Sequence, residues 1–98
     1  MSVEILRLRS GEDILCDVIT EVDGKYVVEN PAVVMPVGRN DDGAMQMALS
    51  PWMPYSTNTE FIIPEDFVVT SAAPTEDILS SYSNMYSKIY APKSQILS

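Results

Sequence analysis

The stretch Gly11-Glu-Asp-Ile14-Leu-Cys16-Asp17-Val18-Ile-Thr20-Glu21-Val22-Asp23-Gly24-Lys25-Tyr26-Val-Val28-Glu-Asn30-Pro31-Ala32 decides the fold. Ile14, Cys16, Val18, Thr20 and Val22 recur at every second position, with Asp17 and Glu21 between them. Period two puts the first set on one face of a β-strand and the second on the other. Asp23-Gly24 reads as a hairpin turn, because glycine accepts the positive φ that a tight turn needs. Lys25 to Val28 begins the returning strand. Asn30-Pro31 bends or bulges it, since proline has no N–H to give to a ladder.

Outward from this hairpin the pattern continues. Val3 to Arg9 alternates weakly and stops at Ser10-Gly11, a strand and a turn. Ala32 to Val37 extends the third strand. A polar turn, Gly38 to Gly43, leads into Ala44 to Leu49, where Met45, Met47 and Leu49 alternate as a fourth strand. Ser50 to Thr59 is irregular and holds Pro51, Trp52, Met53, Pro54 and Tyr55. Phe61 to Ile63 and Phe67 to Thr70 are short strands split by Pro64-Glu65-Asp66. The period then changes. Ile78, Leu79, Tyr82, Met85, Tyr86 and Ile89 form one stripe of an α-helix. Thr75 is placed to cap it, and Glu76 and Asp77 lie at the positive end of its dipole. The expectation is a mainly β chain. One domain, residues 1–98, holds a small, strongly bent, five-stranded antiparallel open barrel over 3–72. A carboxyl-terminal helix over 75–90 and a tail over 91–98 follow.

Composition narrows the chemistry. The chain has 98 residues, 14 acidic and 6 basic, for a net charge of −8. So acidic a chain is a poor general binder of phosphate backbones, whose affinity comes from Lys and Arg. It has no histidine, which removes the commonest general base and the commonest transition-metal ligand. The single cysteine, Cys16, forms no internal disulfide and no zinc spacing. Without a histidine neither Cys16 nor any serine has an activating base. Four acidic pairs, Glu12-Asp13, Asp41-Asp42, Glu65-Asp66 and Glu76-Asp77, sit at turns or a helix start and read as solvated. No glycine pattern cradles phosphate. The expectation is no enzyme, no metal and no cofactor. No apolar run is long enough to span a bilayer, and the amino end lacks the zones of a signal peptide. The reading is therefore no membrane partner and no secretion.

The stretch from Gly11 to Ala32 resembles the first motif of the Sm-like (Lsm, Hfq-type) family. There a glycine opens the second strand, alternating apolar residues flank a small one, and an Asp turn follows. Gly11, Ile14, Cys16 and Val18 match the first part, with Cys16 where the family prefers glycine. Asp23-Gly24-Lys25-Tyr26 matches the turn after one extra residue. Val27 stands where the family has its RNA-reading Asn. Ile63-Pro64-Glu65-Asp66 replaces the second motif's Arg-Gly turn. The helix follows the sheet instead of preceding it, an arrangement similar to Sm-like proteins of tailed bacteriophages, cyanophages among them.

The resemblance implies a ring of about five to eight copies, with strand four of one subunit pairing with strand five of the next. Closed head-to-tail pairing leaves no free edge. On that reading Met45, Met47, Leu49, Phe67, Val68 and Val69 form the subunit interface. Two functions follow as expectations. The first is a non-enzymatic interaction or assembly ring, acting on a phage or host protein in an infected cell's cytoplasm or in a virion. The alternative is a ring that holds single-stranded RNA at its pore, with Tyr26 stacking on a base and Lys25 and Arg39 meeting phosphate.

Overall fold

The computed structural model describes residues 2–97, and side chains over residues 2–86. Its elements are β1 (Ser2–Leu8), β2 (Asp13–Val22), β3 (Lys25–Arg39), β4 (Met45–Pro51), β5 (Glu60–Pro64), β6 (Val68–Ala72) and α1 (Glu76–Leu97). A 3-10 turn, Glu65–Phe67, joins β5 to β6. Every strand pairing is antiparallel, and the sheet runs β4-β3-β2-β1-β6, with β5 also on β3. The expected mainly β open barrel with a carboxyl-terminal helix is the observed fold. It has six strands instead of five, and α1 takes in most of the stretch expected as a tail.

The extra strand has a local cause. On β2, Leu15 pairs with Ala32 and Asp17 with Glu29. Asn30 and Pro31 therefore stand opposite Cys16 alone, which is a β-bulge. Asn30 sits at φ +53, a left-handed conformation that asparagine tolerates better than most residues. Beyond the bulge, β3 changes which face each residue shows. Tyr26 and Val28 point into the barrel, and so does Val33, whereas Ala32 lies under the helix. The strand alongside β3 is broken at the same place. β4 pairs with Ala32 to Arg39 and β5 with Lys25 to Glu29, both on the side away from β2. Between them residues 52–59 leave the sheet. A second bulge at Ile19 of β2 is the extra residue seen in the sequence, since Val18 pairs with Val28 and Thr20 with Val27.

Two cores result. The barrel interior holds Leu6, Leu8, Ile14, Cys16, Val18, Tyr26, Val28 and Ile63, closed by Val33, Trp52, Phe61 and Val68. Each fully buried aliphatic side chain there contributes about 1.5–3 kcal/mol. Cys16 is buried among them. Its thiol is pushed up to about 12, by burial first and then by Glu4 and Asp17, so it stays protonated at neutral pH. The outer face of β1 to β4 holds Leu15 and Ala32 beneath Tyr82 of α1, with Ile5, Val34, Leu49 and Ile78 around them. Thr75 caps α1, accepting from the Ile78 amide at 3.5 Å and, through its carbonyl, from Leu79 at 3.0 Å.

The helix also satisfies the bulge. Tyr82 is buried, and its hydroxyl donates to the Asn30 carbonyl at 2.9 Å, with Glu29 O further off at 3.3 Å. Tyr86 donates to the Pro31 carbonyl at 3.4 Å. The two rings meet edge to face at 4.9 Å, the contact that i, i+4 spacing on a helix allows. Burial raises the Tyr82 phenol far above its ordinary value, so this donor keeps its proton at every ordinary pH. Leaving a buried carbonyl without its donor costs about 1–3 kcal/mol. Tyr82→Phe is therefore expected to lower unfolding free energy by about 1–2 kcal/mol in urea. Tyr86→Phe, with its longer bond, should cost less in the same titration.

Candidate functional site

Two turns meet at one end of the barrel. The β2–β3 hairpin turns on Asp23 (φ 56) and Gly24 (φ 75), two successive positive φ values that define a type I′ turn. The 3-10 turn Glu65–Phe67 lies against it, and the Glu65 amide donates to the Gly24 carbonyl at 2.8 Å. Between them is an open cleft of about 500 Å³, lined by Asp23, Gly24, Lys25 and Ile62 and by Pro64, Glu65 and Asp66. Three carboxylates and one ammonium thus line it, all on exposed residues.

Tyr26 is only 9% exposed, and its ring is part of the barrel core. Burial raises its phenol, followed by the charge of Glu21 and a hydrogen bond to it, then Glu65 and Glu4. The ring offers no open face for a base to stack on. Lys25 and Arg39 are the first and last residues of β3, so the strand holds them apart. Arg39 is engaged in its own turn, Nη1 donating to Gly43 O at 2.8 Å. Lys25 is the cation that lines the cleft, and Arg9 reaches the backbone of the 3-10 turn beside it. Its amide donates to Phe67 O at 2.8 Å and its Nη1 to Asp66 O at 3.5 Å. Sequence reasoning missed it because the contact spans 57 residues and carries no local pattern.

The expected interface residues also divide. β4 and β6 stand at opposite ends of the strand order. Met45 and Met47 are about half exposed on β4, and Val69 is 62% exposed on β6. Leu49 packs with the helix-side cluster and Val68 against the barrel core. Phe67 belongs to the 3-10 turn. Val69 is the unpaired residue of a bulge, because Leu8 pairs with Val68 and Arg7 with Thr70. Among the described residues, no three metal-ligating side chains gather as an ion site, and no helix is long and apolar enough to cross a membrane.

The barrel order, the bent third strand and the paired turns are those of the Sm-like fold. A family model of the Sm_like domain matches residues 5–83, and the chain belongs to that family. No curated protein matches it.

Gly24 is the residue that lets the two turns meet. An added Cβ there meets nothing within 4 Å, so only the positive φ resists substitution. Gly24→Ala is expected to cost about 1 kcal/mol of stability. Asp23→Asn, a change that keeps tolerance of the left-handed region, should be close to neutral in the same denaturation experiment.

Proposed function

We propose that the protein is a homo-oligomeric ring that works as a non-enzymatic protein-interaction or assembly module. One observation carries this reading. The two turns that in Sm-like proteins face the pore here present Asp23, Glu65 and Asp66 around Lys25. Repeated around a ring, that set concentrates negative charge where an RNA backbone would pass. Phosphate contacts need Lys or Arg, whose neutralising charge releases the counterions that drive association. Arg9 lies beside the turn, engaged with the Asp66 carbonyl, and even with it the three carboxylates outnumber the two cations. The buried ring of Tyr26 removes the stacking platform that the RNA reading called for.

Ring closure is supported by the two open edges. Among the described residues β4 and β6 each have no strand on their outer side, and exposed Met45, Met47 and Val69 lie on them. Head-to-tail pairing of such edges closes a ring and removes both. A place in an infected cell's cytoplasm or in a virion belongs to the same reading and rests on the carboxyl-terminal placement of the helix.

The test joins native mass spectrometry to fluorescence anisotropy with labelled single-stranded A/U-rich RNA at low and physiological salt. The expected results are one discrete oligomer and no RNA binding at physiological salt. Val69→Asp should break the oligomer into monomers while the unfolding midpoint of the protomer stays near that of the wild type. RNA binding that persists at physiological salt, and is lost in Lys25→Ala, would overturn the reading in favour of an RNA ring. An intact oligomer carrying Val69→Asp would reject the proposed edge pairing.

A further inference from the structure

We propose that the outer face of β2, β3 and β5 docks an amphipathic helix of a partner protein, one that carries Lys and Arg on both margins of its apolar stripe. This rests on the protein-interaction reading above and names the chemistry of the partner. Tyr26, Val28 and Ile63 point into the barrel, so Val27 and Ile62 point out. Residues directly opposite across strands share a face, and the register lays this one out in three rows. In the middle row Val27 pairs with Thr20 on β2 and with Ile62 on β5. On one side of it Lys25 pairs with Val22 and Pro64. On the other Glu29 pairs with Asp17 and Glu60.

The face is open to solvent. Val22 is 53% exposed and Ile62 65%. Thr20, Lys25, Glu60 and Pro64 are exposed as well. The described part of α1 docks further along the same side of the sheet, over Leu15 and Ala32. Apolar side chains gathered on one exposed face and rimmed by polar ones mark an interaction surface.

Charge chooses the occupant. Asp17, Glu29 and Glu60 stand opposite one another across three strands, and like charges so placed repel. Among the described residues the ion pair is Arg7 with Asp13, so none of these three carboxylates is neutralised by a cation. Beyond the other row, Asp23, Glu65 and Asp66 line the cleft that opens beside Lys25 and Ile62. Six carboxylates thus border the apolar row, against Lys25 on the face and Arg9 beside the 3-10 turn. A phosphate backbone is repelled by both margins. A second copy sets carboxylates against carboxylates. An extended strand needs a free sheet edge for its backbone, and here it meets a face.

A helix fits by size. Lys25 and Glu29 are four residues apart on β3, about 13 Å at the rise of a strand. An α-helix with its side chains is about 10–12 Å across. Laid across the strands, it sets its apolar stripe on Val27 and Ile62 and its flanking cations over the two acidic margins. Long Lys and Arg stems cover apolar surface while their charged heads reach the rim.

The full chain would be titrated, in physiological salt, with a labelled Leu/Lys peptide that has leucine at helical spacing. Its controls are the same peptide with Glu for Lys, a scrambled peptide of the same composition, and oligo(A) RNA. Anisotropy gives the affinity, and amide NMR shifts give the place. The expected result is saturable micromolar binding of the Leu/Lys helix, with shifts centred on Thr20, Val22, Val27 and Ile62, and no binding of the Leu/Glu peptide. Ile62→Ser should weaken it about tenfold and Glu60→Lys about threefold, with circular dichroism spectra unchanged. Absence of saturable binding, equal affinity for the scrambled peptide, or shifts centred on Met45 and Met47 instead overturns the proposal. So does binding of oligo(A) without binding of the peptide. Oligomer mass is read on the same samples. An intact ring that ignores the Leu/Lys helix rejects the face and leaves the assembly reading standing. Helix binding at this face by a protein that forms no ring rejects the ring and keeps the face.

Discussion

The hydrogen bond from the hydroxyl of the buried Tyr82 to the Asn30 carbonyl, 2.9 Å long, marks the point on which the structure turns. A bulge with a left-handed residue at its centre turns backbone groups out of the ladder, and buried groups of that kind must find partners. Here the partners come from three directions. Tyr82 and Tyr86 descend from the helix, Trp52 closes from β4, and Thr59 closes from the approach to β5. One irregularity in β3 thereby bends the sheet, ends β4, starts β5 and seats the helix. Without it β3 would keep one face inward throughout, and Ala32 and Val34 could not sit under α1 while Tyr26 and Val28 fill the barrel.

The same bulge separates two surfaces of different character. At the hairpin end, Asp23, Glu65 and Asp66 line a cleft with one lysine, on turns joined by the Glu65 amide and the Gly24 carbonyl. Beside the bulge, the detour of residues 52–59 makes a cleft whose described lining holds aromatic rings and prolines and no charged residue. The proposed assembly role rests on the first of these surfaces, where three carboxylates line a cleft with one lysine.

Much of the fold was legible in the residues. Ile14, Cys16 and Val18 alternate because they face a core, and the core holds them. Asp23-Gly24 announced its turn through the φ values only such residues adopt readily. Ile78, Tyr82, Met85 and Tyr86 recur at helical spacing and are the side chains that dock α1. What could not be read depends on contacts through space. Met45, Met47 and Leu49 alternate as a strand, but nothing in them says that the neighbouring bulge will end it. Phe67-Val68-Val69 is apolar throughout, so only the pairing of Leu8 with Val68 decides which valine turns inward. Tyr26 is amphipathic and fits a core or a pore equally well by sequence. Its position opposite Ile63 and Glu21 places it in the core. Arg9 reaches Asp66 from the end of the neighbouring strand, 57 residues away in the chain.

Native-state hydrogen exchange on the amides of Asn30 and Trp52 tests this account most directly, in the wild type and in the Tyr82→Phe, Tyr86→Phe double variant. Both amides donate to groups at the bulge or at the loop's return. If the phenols hold the bulge, the two amides lose protection together in the double variant, while the β1–β2 amides between Glu4 and Cys16 keep theirs. If Asn30 and Trp52 exchange as slowly as in the wild type, the bulge stands without the helix, and its place at the centre of the structure is wrong.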